Sequence, residues 1–171
     1  MSKAWVKNTP HYYLRYYDLV PEDDYIEGLK NSLSECEKLF SSISEKQGNY
    51  AYGPNKWSIK EVLQHVSDTE RIFQYRSLCI ARGEQRKLEG FDQEDYTKNA
   101  EANNRSLASL LAEFKTIRAS SISLFRYLTE DQMKAIGNAN GFDAQAAFYV
   151  YLISGHLRHH LNVIKEKYLS N

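Results

Sequence analysis

The chain has 171 residues, 42% of them hydrophobic, with Lys plus Arg equal to Asp plus Glu at 22 each. That length supports one well-cored domain, and the balanced charge lacks the basic excess that holds a phosphate backbone, so no nucleic-acid partner is expected. "MSKAWVKNTP" lacks the apolar core of a secretory signal and no apolar run approaches the roughly 18 residues that span a bilayer, so no membrane partner and a cytoplasmic location are expected.

Thirteen tyrosines include the pairs in "YYLRYY" near the start. Without matching basic clusters they read as amphipathic packing surface and not as a stacking platform for bases. The first helix is predicted from Pro21, a residue favoured at the first helical position, followed by Glu22, Asp23 and Asp24 at the positive end of the helix dipole. Its apolar stripe is Ile26, Leu29, Leu33, Cys36, Phe40 and Ile43. Cys36 and Cys79 have no partner at C-x-x-C spacing, which excludes a zinc knuckle or a redox motif and leaves two core thiols.

The second helix opens at "WSIKE", where Ser58 and Glu61 have capping-box spacing, and runs through Ile59, Val62, Val66, Phe73 and Ile80 to Gly83. A third carries Leu107, Leu110, Leu111, Phe114, Ile117, Leu124, Phe125 and Leu128, and "TEDQ" from Thr129 predicts a short capped turn. "GNANG" at 137 to 141 breaks the chain. Asp143 is the expected N-cap of the last helix, with the stripe Ala146, Val150, Ile153, Leu157, Leu161, Ile164 and Tyr168. No strand and no internal repeat are predicted.

Four such helices predict one all-α domain over residues 1–171, a four-helix bundle. The segment from Gly83 to about Asn103 far exceeds the roughly 2 to 8 residues that join antiparallel bundle neighbours. As a crossover it makes helices two and three parallel and gives up-down-down-up order. The other reading is an irregular insertion in an up-down bundle.

Three of the five histidines, His156, His159 and His160, fall within "GHLRHH". At 100° per residue, His160 stands roughly 60° and His156 roughly 100° from the centre of the last helix's stripe, on the same side, whereas His159 is about 160° away and aims at solvent or a partner. On the second helix His65 lies roughly 70° from its stripe. If these rims face one another, His65, His156 and His160 can meet at one zinc-type ion with an open position. The spacing leaves a second reading, half-buried histidines bonded to neighbours. A zincin helix needs Glu directly after its first His, where this chain has Leu157, and none of the five histidines has Glu three residues earlier as a di-iron bundle requires.

The stretches "KWSIKEVLQHVSDTERIFQYRSLCIARGE", "LEGFDQEDY" and "SGHLRHHLNVIKEKY" resemble the DinB-like superfamily, which includes metal-dependent hydrolases, bacillithiol transferase and mycothiol-dependent maleylpyruvate isomerase. The likeness runs from about Tyr16 to the C-terminus. It implies an up-down-down-up bundle, one divalent ion, nickel or zinc, and often a homodimer. The family's first ligand falls on His65 in "LQHVSDTE" and its closing H-x-x-x-H on His156 and His160. The resemblance supplies no shared general base.

The leading expectation is therefore an enzyme that transfers a small thiol of the bacillithiol type to an electrophile, the ion lowering the thiol's pKa. The alternative is a hydrolase acting through a metal-activated water, and a third is a non-catalytic, dimeric metal-binding module. Thr69 and Arg76 share the rim of His65, but read more simply as an internally bonded hydroxyl and a core-edge ion pair. Asp68 reads as a solvated helix residue, and Cys79 lies on the wrong side to be a ligand.

Overall fold

The computed structural model describes Lys3, Val6 and residues 11–170. Helix starts follow local side-chain chemistry. The Ser58 hydroxyl accepts from the Glu61 N–H while the Glu61 carboxylate accepts from the Ser58 N–H, opening α4 over Ile59–Ala81. Ser106 caps α6, Leu107–Arg126, and Thr129 with Gln132 forms the expected capping box on the short α7, Glu130–Lys134.

The first predicted helix begins later than expected. Asp24, not Pro21, is the N-cap of α2, Tyr25–Phe40, because its carboxylate accepts from the Glu27 N–H at 2.8 Å. Glu22 is drawn instead to Arg158, outside any helix. Among the described residues three α-helical segments went unpredicted: α1, His11–Tyr17, α3, Glu45–Gly48, and α5, Gln93–Asn99, the last within the long connection after α4.

The break at "GNANG" is a β-hairpin, β1 over Ile136–Ala139 and β2 over Phe142–Gln145. Asn140 and Gly141, both at positive φ (55° and 83°), form the two-residue turn that suits strand twist. Asp143 therefore pairs within the hairpin, and Gln145 precedes α8, Ala146–Val163, without a side-chain cap bond. A π-helical turn, Ile164–Tyr168, extends α8. Leu88, in the long connection, bonds along β1 through the Asn138 carbonyl and the Asn140 N–H.

Four long helices form the bundle, and their cross-bonds give its directions. Tyr25 donates to the Phe125 carbonyl and Lys115 pairs with Glu37, so α2 and α6 run antiparallel. Arg71 with Glu113 and Gln74 with Ser121 advance together, so α4 and α6 run parallel. Ser77 bonds the Ala146 carbonyl while His65 meets His156, which sets α4 against α8.

Two apolar clusters share the core, one around Leu29, Phe73, Phe125 and Tyr149 and one around Ile59, Leu63, Phe114 and Leu161. Between them lies a buried polar layer. On one side Arg118 donates to both Glu70 carboxylate oxygens at 2.8 Å and to Ser32 and the Leu29 carbonyl at 2.7 Å. On the other stand the histidines. No described helix is long and apolar enough to cross a membrane.

Candidate metal centre

His65 sits in the second turn of α4, and His156 and His160 stand one turn apart on α8, the pair of helices that share the most extensive contact in the bundle. The Nε2 atoms of His65 and His156 are 3.2 Å apart, and those of His160 and His156 are 3.1 Å apart. All three ligand nitrogens lie within 4.8 Å of one another, and no other such group of His, Cys, Asp or Glu exists among the described residues.

Hydrogen bonding alone does not account for this convergence. A ring nitrogen carries either one proton or one lone pair, so His156 Nε2 cannot serve two imidazoles properly at once. Nitrogens about 2.0–2.1 Å from a shared tetrahedral ion stand about 3.3 Å apart, close to the contacts here. Burial lowers the His65 pKa to about 4. Burial first, then the neighbouring imidazoles, puts His156 and His160 well below the ordinary histidine value. Neutral, lone-pair-bearing rings are the form a metal takes.

Aromatic neighbours hold the rings in place. Trp57 packs on His65 at 4.7 Å between ring centroids, and Tyr16 and Phe73 pack edgewise on His156 at 5.4 and 6.0 Å. Trp57 is itself tied down, its indole N–H donating to Glu94 and its carbonyl accepting from Tyr168. Tyr16 reaches His156 because Gly155 leaves room for the α1 backbone. A Cβ at Gly155 would lie 1.9 Å from the Tyr16 carbonyl oxygen.

His65 and His156 form part of the wall of a cavity of about 470 Å³, and Thr69, Phe73 and Arg76 continue that wall along α4. Tyr12, Tyr13 and Tyr16 close it from α1. A second cavity, beside His160, is lined by Trp57, Glu94 and His159. His159 stays out of the trio, as the wheel predicts, but it does not face open solvent. It is half-buried against the Tyr16 ring at 5.1 Å, because α1 covers that face of α8.

Thr69 and Arg76 depart from their simpler readings. The Thr69 hydroxyl oxygen is buried with no hydrogen-bond partner among the described residues. Arg76, 3% exposed, donates to the Glu89 carbonyl at 2.9 Å and makes no ion pair among them. Asp68 is half-buried and accepts from Gln64 and Arg71, and burial raises its pKa. Cys79 is half-buried and outside the trio. The three cavity tyrosines escaped sequence reasoning. Their signal, Tyr12, Tyr13 and Tyr16 at helical spacing in "HYYLRYY", was too short to place.

Residues 29–164 match the family model of the DinB superfamily. A protein of Oceanobacillus iheyensis, named as a metal-dependent hydrolase, is 24% identical over 155 residues, 85% of this chain and 88% of its own. YfiT of Bacillus subtilis, described as a metal-dependent hydrolase with an unusual four-helix bundle topology, superposes with a TM-score of 0.75 at 17% identity, over 83% of this chain and 82% of that one. The mycothiol-dependent maleylpyruvate isomerase gives 0.69 at 14% identity, over 86% of this chain but 61% of that one. At these identities the two structures share a fold with this chain.

Proposed function

The chain belongs to the DinB superfamily, and from that premise we propose that it is a metal-dependent enzyme whose His65, His156 and His160 hold one divalent ion, nickel or zinc. The observation that carries this reading is the meeting of three imidazole nitrogens from two helices, those of the buried His65 and His156 at the wall of a cavity and that of the half-buried His160 beside them. Such an ion, with a position open to the cavity, would supply a Lewis acid that lowers the pKa of a bound thiol or water.

The chain's own residues bear on what would be transferred. The cavity wall that includes His65 and His156 contains neither Asp nor Glu among the described residues, and Glu94, in the cavity beside His160, accepts from the Trp57 indole. A bound thiol or water can each pass its proton to solvent once the ion lowers its pKa, but a thiol starts from about 8.5 and water from about 15.7, so the thiolate asks less of the ion. That favours transfer of a low-molecular-weight thiol of the bacillithiol or mycothiol kind, in which the sulfur bonds to an electrophilic carbon and a leaving group departs. Phe73, Phe91 and Phe142 give the cavity apolar walls against which an electrophile would pack, beside the tyrosines of α1.

The names of the Oceanobacillus and Bacillus relatives support the second reading, hydrolysis. One experiment separates the two. Purified protein, stripped and reloaded with zinc or nickel, is assayed with chlorodinitrobenzene plus bacillithiol, mycothiol or cysteine, and in parallel with 4-nitrophenyl acetate without thiol. Thiol-dependent turnover that disappears on chelation is the expected result. Ester turnover without thiol promotes the hydrolase, and turnover of either kind after complete metal removal rejects the metal mechanism. A homodimer is part of the same proposal, checked by light scattering.

A further inference from the structure

A buried guanidinium is costly unless its charge is answered. Arg118 and Arg158 show how this chain answers it: Arg118 lies against Glu70, and Arg158 against Glu22 and Glu35. Arg76 is the exception. It is as buried as they are, yet one carbonyl oxygen, that of Glu89, takes one of its five N–H groups, and no carboxylate meets it among the described residues.

Its surroundings on α4 and α8 supply no counter-charge. Tyr149 on α8 lies within reach of its field, but burial pushes that hydroxyl's pKa well up, so it remains a neutral phenol. The Glu89 side chain is exposed. Among the described residues Arg76 is also the one Lys or Arg on the cavity wall, and the Thr69 hydroxyl, unpartnered among them, stands on the same wall between it and His65. One uncompensated positive charge and one idle buried hydroxyl, in a cavity walled by aromatic rings, describe the complement of an elongated organic molecule ending in a single negative charge.

We propose that Arg76 binds a carboxylate of the substrate, with Thr69 bonding a polar group nearer the histidines. This rests on reading the trio and its cavity as the reaction site. Arg76 lies eleven residues beyond His65, about 16 Å along the helix, and its side chain leans back toward the helix N-terminus, so the carboxylate stands roughly 10 Å from the reacting end. A carboxylate matches the one available charge and the forked geometry of a guanidinium, whereas a phosphate dianion calls for more cations than this wall offers.

The test is calorimetric titration of the full chain, with and without zinc, using hexanoate, its neutral amide hexanamide, and hexyl phosphate. Wild type without zinc is expected to bind hexanoate at least about tenfold more tightly than hexanamide. Arg76→Gln should erase that preference while leaving hexanamide binding unchanged, and Arg76→Lys, which keeps the charge, should restore part of it. Equal binding of hexanoate and hexanamide by wild type, or a preference that survives Arg76→Gln, overturns the proposal. Tighter binding of hexyl phosphate overturns the carboxylate assignment. Because the comparison runs without metal, a hexanoate preference in a chain that takes up no zinc would reject the proposed function and leave this site standing.

Discussion

A histidine that is buried and neutral makes folding depend on pH. His65 has an ordinary value of 6.5 and is lowered to about 4 by burial. Between those values the unfolded chain binds the proton and the folded chain does not, so stability falls as pH drops through that window. Metal-free wild type should thus lose thermal stability between pH 6.5 and 4, and His65→Phe should lose less; equal slopes in melting scans would contradict this. Glu22 carries the carboxylate counterpart. Hydrogen bonds from Arg158 hold its carboxyl at about 2, against an ordinary 4.5, so its contribution is complete above pH 4.5 and is lost as pH falls through 2. Glu22→Gln should flatten the acid limb of the unfolding curve over that range. At this scale the sequence was legible where periodicity constrains direction. A wheel alone puts His65, His156 and His160 on the rims of their helices and His159 off them, but it does not show that the rims meet. That the Thr69 hydroxyl has no partner and Arg76 no carboxylate among the described residues was not legible, because whether a polar side chain finds a partner depends on segments far away in the chain.

Elements were readable in proportion to their length and to the chemistry at their ends. The Ser58 and Thr129 boxes appear in the sequence as they do in the structure, since a cap is a contact over three residues. Ser58→Ala should cost about 1 kcal/mol in urea unfolding, and no change would show the cap to be idle. The hairpin was missed although Asn140-Gly141 is a strong turn signal, because its strands of four residues each carry too little alternation. The seven residues of α1 fell below helical periodicity for the same reason, and with α1 went the tyrosines that roof the cavity and cover His159. Gly155→Ala offers the direct check on α1. Its Cβ would collide with the Tyr16 backbone, so α1 should lift away, tyrosine fluorescence and protease sensitivity near residues 11–17 should change, and the bundle should persist. A crystal structure of the variant with α1 in place would contradict this.

Across the whole molecule, the polar layer between the two apolar clusters ties the fold to the site. The same stretch of α4 sends Glu70 to Arg118 and His65 to α8, so one layer both locks α6 and α2 and presents the imidazoles. Breaking the ion pair on one side leaves a buried charge. Arg118→Met should therefore destabilise by about 3–5 kcal/mol, and a Glu70→Leu, Arg118→Met double replacement by markedly less. Equal losses in denaturant titrations would show that the pair does not act as a unit. The four-helix bundle was evident from the four apolar stripes, whereas the division of its core by a charged layer was not, since Glu70 and Arg118 on their own helices look like surface residues. The central claim, that one ion is held by His65, His156 and His160 and not by His159, meets its most direct test in calorimetric titration of the chelated protein with zinc or nickel. Wild type and His159→Ala should bind about one ion per chain, and His65→Ala, His156→Ala and His160→Ala should each lose most of that affinity. Collapse in His159→Ala with near-normal binding by His160→Ala, or well under half an ion bound by wild type, would contradict the account.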